Sequence, residues 1–157
     1  MSGSLAKDKK LMTVEEYLDF EKKSKIKHEY SDGEVISMAG AKRNHSLAAG
    51  NIFRHLANQL EGKDCEVHQN DIKVRVRENR FVYPDVIAAC GELQWESNET
   101  VLLNPTVVFE VLSSSTEARD RGEKAQDYRR LRTLTDYLLV SQTMLRTELR
   151  EDSGVIS

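Results

Sequence analysis

The sequence predicts one α/β domain, a central mixed sheet flanked by helices. Three observations predict it. Apolar residues recur at helical spacing over 44–60, where Ala49, Ile52, Phe53, Leu56 and Leu60 share one face. Alternation over 71–77 and a continuous apolar run over 107–112 both fit strands, the second one covered on both faces. A helical stretch over 117–132 separates the strand at 106–112 from another at 136–141, which permits a parallel crossover.

The elements follow in order. Thr13 and Glu16 form a capping box for a helix running to about Lys22. Two short runs, 26–30 and 34–38, flank Asp32-Gly33 and predict a hairpin. Asn44 is placed to cap the amphipathic helix, which Gly62 ends. A strand over 65–77 turns at Glu78-Asn79 into an antiparallel partner over 81–89. A polar loop over 91–100 carries the only tryptophan, Trp95, and the strand at 106–112 follows. A loop over 113–116 leads into the helix at 117–132, and a fifth strand within 144–150 makes a hairpin with the fourth. Residues 1–10 read as a flexible tail. Residues 11–157 read as one domain: a helix and hairpin over 11–40, a core over 44–141, and a shortened C-terminal segment over 142–157.

A chain of 157 residues is long enough for one core. No apolar run approaches the roughly 20 residues that span a bilayer. The first ten residues lack the apolar segment of a signal peptide, so a cytoplasmic location is the expectation. Cys65 and Cys90 sit in strand-like runs and are expected to be reduced packing thiols. Cys65 and His68 have the spacing of half a zinc site, with no second pair to complete it. A net charge of -3 argues against a domain-wide basic surface.

Charged residues in apolar positions mark candidate chemistry. Glu110 interrupts Val107-Val108-Phe109 and Val111-Leu112, and a carboxylate inside a central strand is costly unless paired or bound to metal. Asp85 follows Pro84 inside a second apolar run, where both residues are poor strand formers. Lys124 lies within about 40° of Tyr128 and about 20° of Leu131 on a helical projection, so it shares the inward face. Two carboxylates on adjacent strands suit Mg²⁺, or Mn²⁺ in its place, with the backbone carbonyl of Val111 a further oxygen ligand. Without a cation, carboxylates about 4 Å apart repel by roughly 4 kcal/mol at an effective dielectric near 20. A lysine beside them stabilises charge on a phosphate or orients a water. That set suits phosphodiester hydrolysis.

At these residues the chain resembles the PD-(D/E)XK, or restriction-endonuclease-like, nuclease superfamily, whose core runs αβββαβ. Pro84-Asp85 matches its first acidic element and Glu110 its second. More closely, the chain is similar to the Uma-type restriction endonucleases of bacteria. The matching stretches are Thr13-Val14-Glu15-Glu16-Tyr17-Leu18, Asp32-Gly33-Glu34, Met38-Ala39-Gly40 with His45, Tyr83-Pro84-Asp85-Val86, Glu110-Val111-Leu112-Ser113, and Asp120-Arg121-Gly122-Glu123-Lys124 with Tyr128. They span about residues 12–141. Where the superfamily places lysine, two residues after the acid, this chain has Leu112; the resemblance implies that Lys124 on the next helix replaces it. It also implies a homodimer acting on DNA, and it places His45, Glu34 and Tyr128 at the fringe of the site.

Phosphate contacts need basic side chains. Lys73, Arg75 and Arg77 form a strip along one strand face, and Arg119, Arg121, Arg129, Arg130 and Arg132 cluster around the second helix. A Mg²⁺-dependent endodeoxyribonuclease with catalytic Asp85, Glu110 and Lys124 is therefore the leading expectation. A catalytically inactive nucleic-acid- or protein-binding module on the same fold and an RNA-directed nuclease are the alternatives.

Overall fold

The computed structural model describes residues 10–38, 40–112, 120–141 and 147–150. Helix α1 (Val14–Lys23) begins with the capping box: the Glu16 N–H donates to Thr13 Oγ1 at 3.1 Å, and the Thr13 N–H donates to Glu16 Oε1 at 2.9 Å. Such a cap stabilises a helix by about 1 kcal/mol. Strands β1 (His28–Ser31) and β2 (Glu34–Ser37) form the hairpin. Its turn needs positive φ at both central positions, and Asp32 (49°) and Gly33 (97°) supply it. A side chain at Gly33 would also press on Leu11, whose Cβ lies 3.1 Å from the position a Cβ there would take.

Helix α2 (Arg43–Leu60) carries the anticipated apolar face, with Ala49 buried and Ile52, Phe53, Leu56 and Leu60 half-buried. Its N-cap is Lys42, without a side-chain cap bond, rather than Asn44; the helix begins one residue early. It packs on β3, β6 and β9, defined below.

The long hairpin expected over 65–89 divides between two sheets. Its strands are β3 (Cys65–Gln69), β4 (Lys73–Arg77), β5 (Arg80–Val82) and β6 (Val86–Cys90). On one side the chain breaks at Asn70, whose φ is 53°. On the other it breaks at Tyr83-Pro84-Asp85. β3 pairs with β6 in one sheet and β4 with β5 in the other. The expected single central sheet is therefore corrected to two mixed sheets, because period-2 alternation runs through the break unchanged while proline and a left-handed asparagine interrupt the ladder.

The 91–100 loop also holds β7 (Trp95–Glu96), which pairs with β8 (Val101–Leu102). β9 (Val107–Leu112) follows. The described part of the second helix is a π-helical turn (Asp120–Lys124) continuing into α3 (Ala125–Arg129), which ends three residues before the expected Arg132. β10 (Asp136–Ser141) then runs parallel to β9, and β11 (Thr147–Arg150) returns antiparallel. The expectations for 1–9, the 113–116 loop, the helix start at 117–119, and residues 142–146 and 151–157 lie outside the described residues.

The six-stranded sheet has the order β2-β1-β5-β4-β8-β7, and the five-stranded sheet β11-β10-β9-β6-β3. α1 covers one face of the former, where Tyr17, Tyr30, Phe81 and Val101 cluster. Its other face sends Val74, Val76, Val82 and Leu102 into a core shared with Ile87, Val108, Leu112 and Leu139 of the five-stranded sheet and with Tyr128 of α3. α3 is thus wedged against the core between the sheets.

Cys65 and Cys90 are register partners across β3 and β6 and form a disulfide, with Cα atoms 4.0 Å apart. This corrects the expectation of reduced thiols. The two are 25 residues apart in sequence, and only the strand register brings them face to face.

Candidate active site

Asp85 sits where the hairpin leaves one sheet for the other, one residue before β6. The β6–β9 register pairs Val86 with Phe109, so one further step sets Asp85 opposite Glu110. Asp85 alternates with Ile87, and Glu110 with Val108 and Leu112; these apolar residues all belong to the core between the sheets. Glu110 therefore belongs to the face that enters that core, and Asp85 reaches the same step of β9 through the Val111 N–H.

Asp85 is fixed by two contacts. Its Oδ2 accepts the Val111 N–H at 2.7 Å. Its Oδ1 lies 3.4 Å from His45 Nε2, on the first turn of α2. Hydrogen bonding to Asp85 holds the His45 imidazole above its ordinary pKa, with burial pulling the other way. The Val111 backbone adds to the same upward shift, and among the described residues His45 Nδ1 is buried without a hydrogen-bond partner of standard geometry.

Glu110 has only 5% of its side chain exposed, and its Oε2 lies 3.2 Å from Lys124 Nζ. The helical phase read from the sequence holds: Lys124 and Tyr128 are buried, and Leu131 packs half-buried on the same core. Lys124 Nζ also donates to Glu29 Oε2 at 3.2 Å. Glu29 was not singled out in the sequence, because a charged residue in a short hairpin strand reads as its wet face. The only signal is positional: it stands between His28 and Tyr30, both buried with it.

The remaining candidates fall as follows. Tyr128 is a core residue, its ring 4.5 Å from that of Tyr137. Glu34 begins β2, half-buried, paired in register with Ser31. Val111 lies in β9 beside Glu110, its N–H committed to Asp85. The basic strip is engaged within the fold. Lys73 is buried beside the Tyr83 ring, and that burial lowers its pKa. Arg75 pairs with Glu96 at 2.8 Å and donates to the Glu78 carbonyl. Arg77 forks onto Asp32 and also reaches Asp127 at 3.2 Å. Arg129, Arg130 and Arg132 are exposed.

The chemistry of the donor set fits a hard divalent cation, since two carboxylates, Asp85 and Glu110, stand at the ends of the β6–β9 pairing with the Val111 backbone beside them. Among the described residues, no group of three or more His, Cys, Asp or Glu converges as a metal cage. Mg²⁺ does not need one, because it keeps several waters and is held by one or two carboxylates with substrate phosphate.

Residues 14–151 match the Uma2 family, described as "Putative restriction endonuclease". The chain belongs to the Uma2 family. Two uncharacterized proteins of Synechocystis sp. are similar to it. One is 38% identical over 146 residues, 91% of this chain and 76% of that protein. The other is 33% identical over 147 residues, 92% of this chain and 83% of that protein. Among solved structures, a "putative nuclease belonging to DUF820" from Anabaena variabilis matches with a TM-score of 0.75 at 13% identity, covering 89% of this chain and 79% of the other. That likeness shows the fold. Among the described residues, no helix of this Uma2 chain is long and apolar enough to cross a membrane.

Proposed function

We propose that this Uma2 protein is a Mg²⁺-dependent endonuclease that hydrolyses DNA phosphodiester bonds, with Mn²⁺ able to serve in place of Mg²⁺. One observation carries the reading: Asp85, at the bend before β6, takes the N–H of Val111, the residue next to Glu110 on β9, and the Lys124 ammonium lies 3.2 Å from Glu110. The order α2-β3-β6-β9-α3-β10 along the five-stranded sheet supports a restriction-endonuclease-like αβββαβ core.

Asp85 and Glu110 would hold the ion, with the Val111 carbonyl as a further ligand. A bound Mg²⁺ supplies an activated water and polarises the phosphoryl oxygen. Lys124 offers a positive donor to the charge that develops on the phosphate. His45 orients the Asp85 carboxylate at Oδ1, while the Val111 N–H holds Oδ2. The exposed Arg129, Arg130 and Arg132 are suited to backbone phosphates. A homodimer belongs to the same reading, since a duplex has two strands to cut.

Purified protein incubated with supercoiled plasmid and Mg²⁺ tests it. The wild type should nick or linearise the plasmid, and Asp85→Ala should cut at least about 100-fold more slowly. Equal cleavage by both, or none by the wild type, rejects the reading. A single-stranded RNA run alongside decides the nucleic acid, because the cleavage centre addresses only phosphate. The engaged strip and the net charge of -3 favour a second reading, a non-catalytic binding module on this fold. Such a module would bind nucleic acid or protein without taking up Mn²⁺ at Asp85 and Glu110.

A further inference from the structure

We propose that Glu29 is a positioning residue that sets the Lys124 ammonium, and so lets a helix-borne lysine serve the site; this rests on the nuclease reading above. A lysine two residues after Glu110 would be aimed by the strand itself. That position is Leu112, buried in the core. Lys124 instead reaches in from the π-helical turn before α3, on a stem with four rotatable carbons and a charge that any carboxylate attracts. Something other than Glu110 has to fix where it stops.

Glu29 has the geometry for that. It lies on β1, paired on one side with β2, while β1 itself pairs with β5 on the other, so its backbone is held in the six-stranded sheet. Its side chain is 11% exposed, and one oxygen, Oε2, takes two donors: Lys124 Nζ at 3.2 Å and the Tyr83 N–H at 2.9 Å. Tyr83 is two residues before Asp85. One carboxylate oxygen thus ties the lysine and the segment leading to the first acid to a common point. Tyr83 is held at its other end too, its hydroxyl donating to Glu21 at 2.7 Å, and Glu21 accepts the His28 N–H at 2.8 Å. Between Glu29 and Glu110, each 3.2 Å away, the ammonium is held from two sheets at once.

A second buried pair repeats the device one helical turn on. Asp127, three residues after Lys124, lies 3.4 Å from the buried Arg80 of β5. Ser31 and Arg80 are register partners, so the side chains of Glu29, Ser31, Arg80 and Val82 share one sheet face. The six-stranded sheet grips this helix by pairs of opposite polarity, Glu29 to Lys124 and Arg80 to Asp127. That arrangement fixes which way round the helix sits.

The test is Glu29→Gln in the full chain, read in two ways. Acetylation of Lys124 by a limiting amine-reactive reagent is followed by mass spectrometry, with exposed Lys22 as the internal reference. Release of the ammonium should raise Lys124 labelling at least about fivefold relative to Lys22. In plasmid cleavage, kcat should fall at least tenfold with KM changed less than threefold. Glu29→Asp, which keeps the charge on a shorter arm, should recover part of both, and it carries the test if the glutamine variant does not fold. Unchanged Lys124 labelling overturns the proposal whether or not the protein cuts DNA. Raised labelling with unchanged kcat also overturns it. Raised labelling in a wild-type background that cuts nothing supports Glu29 as the holder of Lys124 and rejects the nuclease reading instead.

Discussion

Two clusters of buried charge lie one helical turn apart, and they are built to opposite rules. Around Asp127, among the described residues, Arg77 and Arg80 meet Asp127 and Asp32, two guanidiniums against two carboxylates. Around Lys124, the described residues place one ammonium among Glu29, Glu110 and the neighbouring Asp85, with His45 beside the last. Among the described residues three acids stand against one ammonium there, and hydrogen bonding to Asp85 favours the charged form of His45, which offsets part of the difference. A structural cluster closes its own balance, because an uncompensated buried charge costs several kcal/mol. A divalent cation held by Asp85 and Glu110, as proposed, would offset the rest.

The largest expected effect breaks the unbalanced cluster. Glu110→Gln should cut plasmid at least about 1,000-fold more slowly, near 4 kcal/mol in the transition state, with Tm little changed. Breaking the balanced cluster should do the reverse. Asp127→Ala strands the buried Arg80 and should cost about 3 kcal/mol of stability, lowering Tm by roughly 10 °C in a thermal scan. Lys124→Met should slow cleavage about 100-fold while leaving Mn²⁺ affinity equal or tighter, since it removes a cation that competes for Glu110.

Smaller effects lie away from both clusters. Cys65→Ser opens a 25-residue loop, and the lost constraint should cost about 2 kcal/mol, seen as a Tm that no longer responds to reductant. Cleavage should not change, because Asp85 and Cys90 lie at opposite ends of β6. Acid should loosen the exposed rim of the anchor first. Arg77 holds the Asp32 carboxyl below its usual range, so the pair's contribution is complete above pH 4 and fades as pH falls through the depressed value. Asp32→Asn should flatten that part of a Tm-against-pH curve, by well under 1 kcal/mol.

Much of this was legible in the sequence where a local rule decides the outcome. The capping box at Thr13 and Glu16, the Asp-Gly turn, the face of α2 and the parallel β9–β10 crossover all follow from spacing alone. So does the burial of Glu110 and Lys124, since both break an apolar period. The division of the long hairpin was not legible, because alternation fixes which face a side chain takes and not which sheet its strand joins. Glu29, Arg80 and Asp127 were hidden for that reason: each looks like an ordinary wet-face charge until the second sheet is laid over α3. The Cys65–Cys90 pairing was hidden by the same long-range register. The wider π turn at 120–124 was not legible either, since its charged residues have ordinary helical composition.

A calorimetric Mn²⁺ titration of wild type, Asp85→Asn, Glu110→Gln and Asp127→Asn decides whether the cluster around Lys124 holds an ion. The unbalanced cluster predicts one ion bound per wild-type chain, lost in the first two variants and kept in the third. No binding by the wild type, or equal binding by all four proteins, would contradict it.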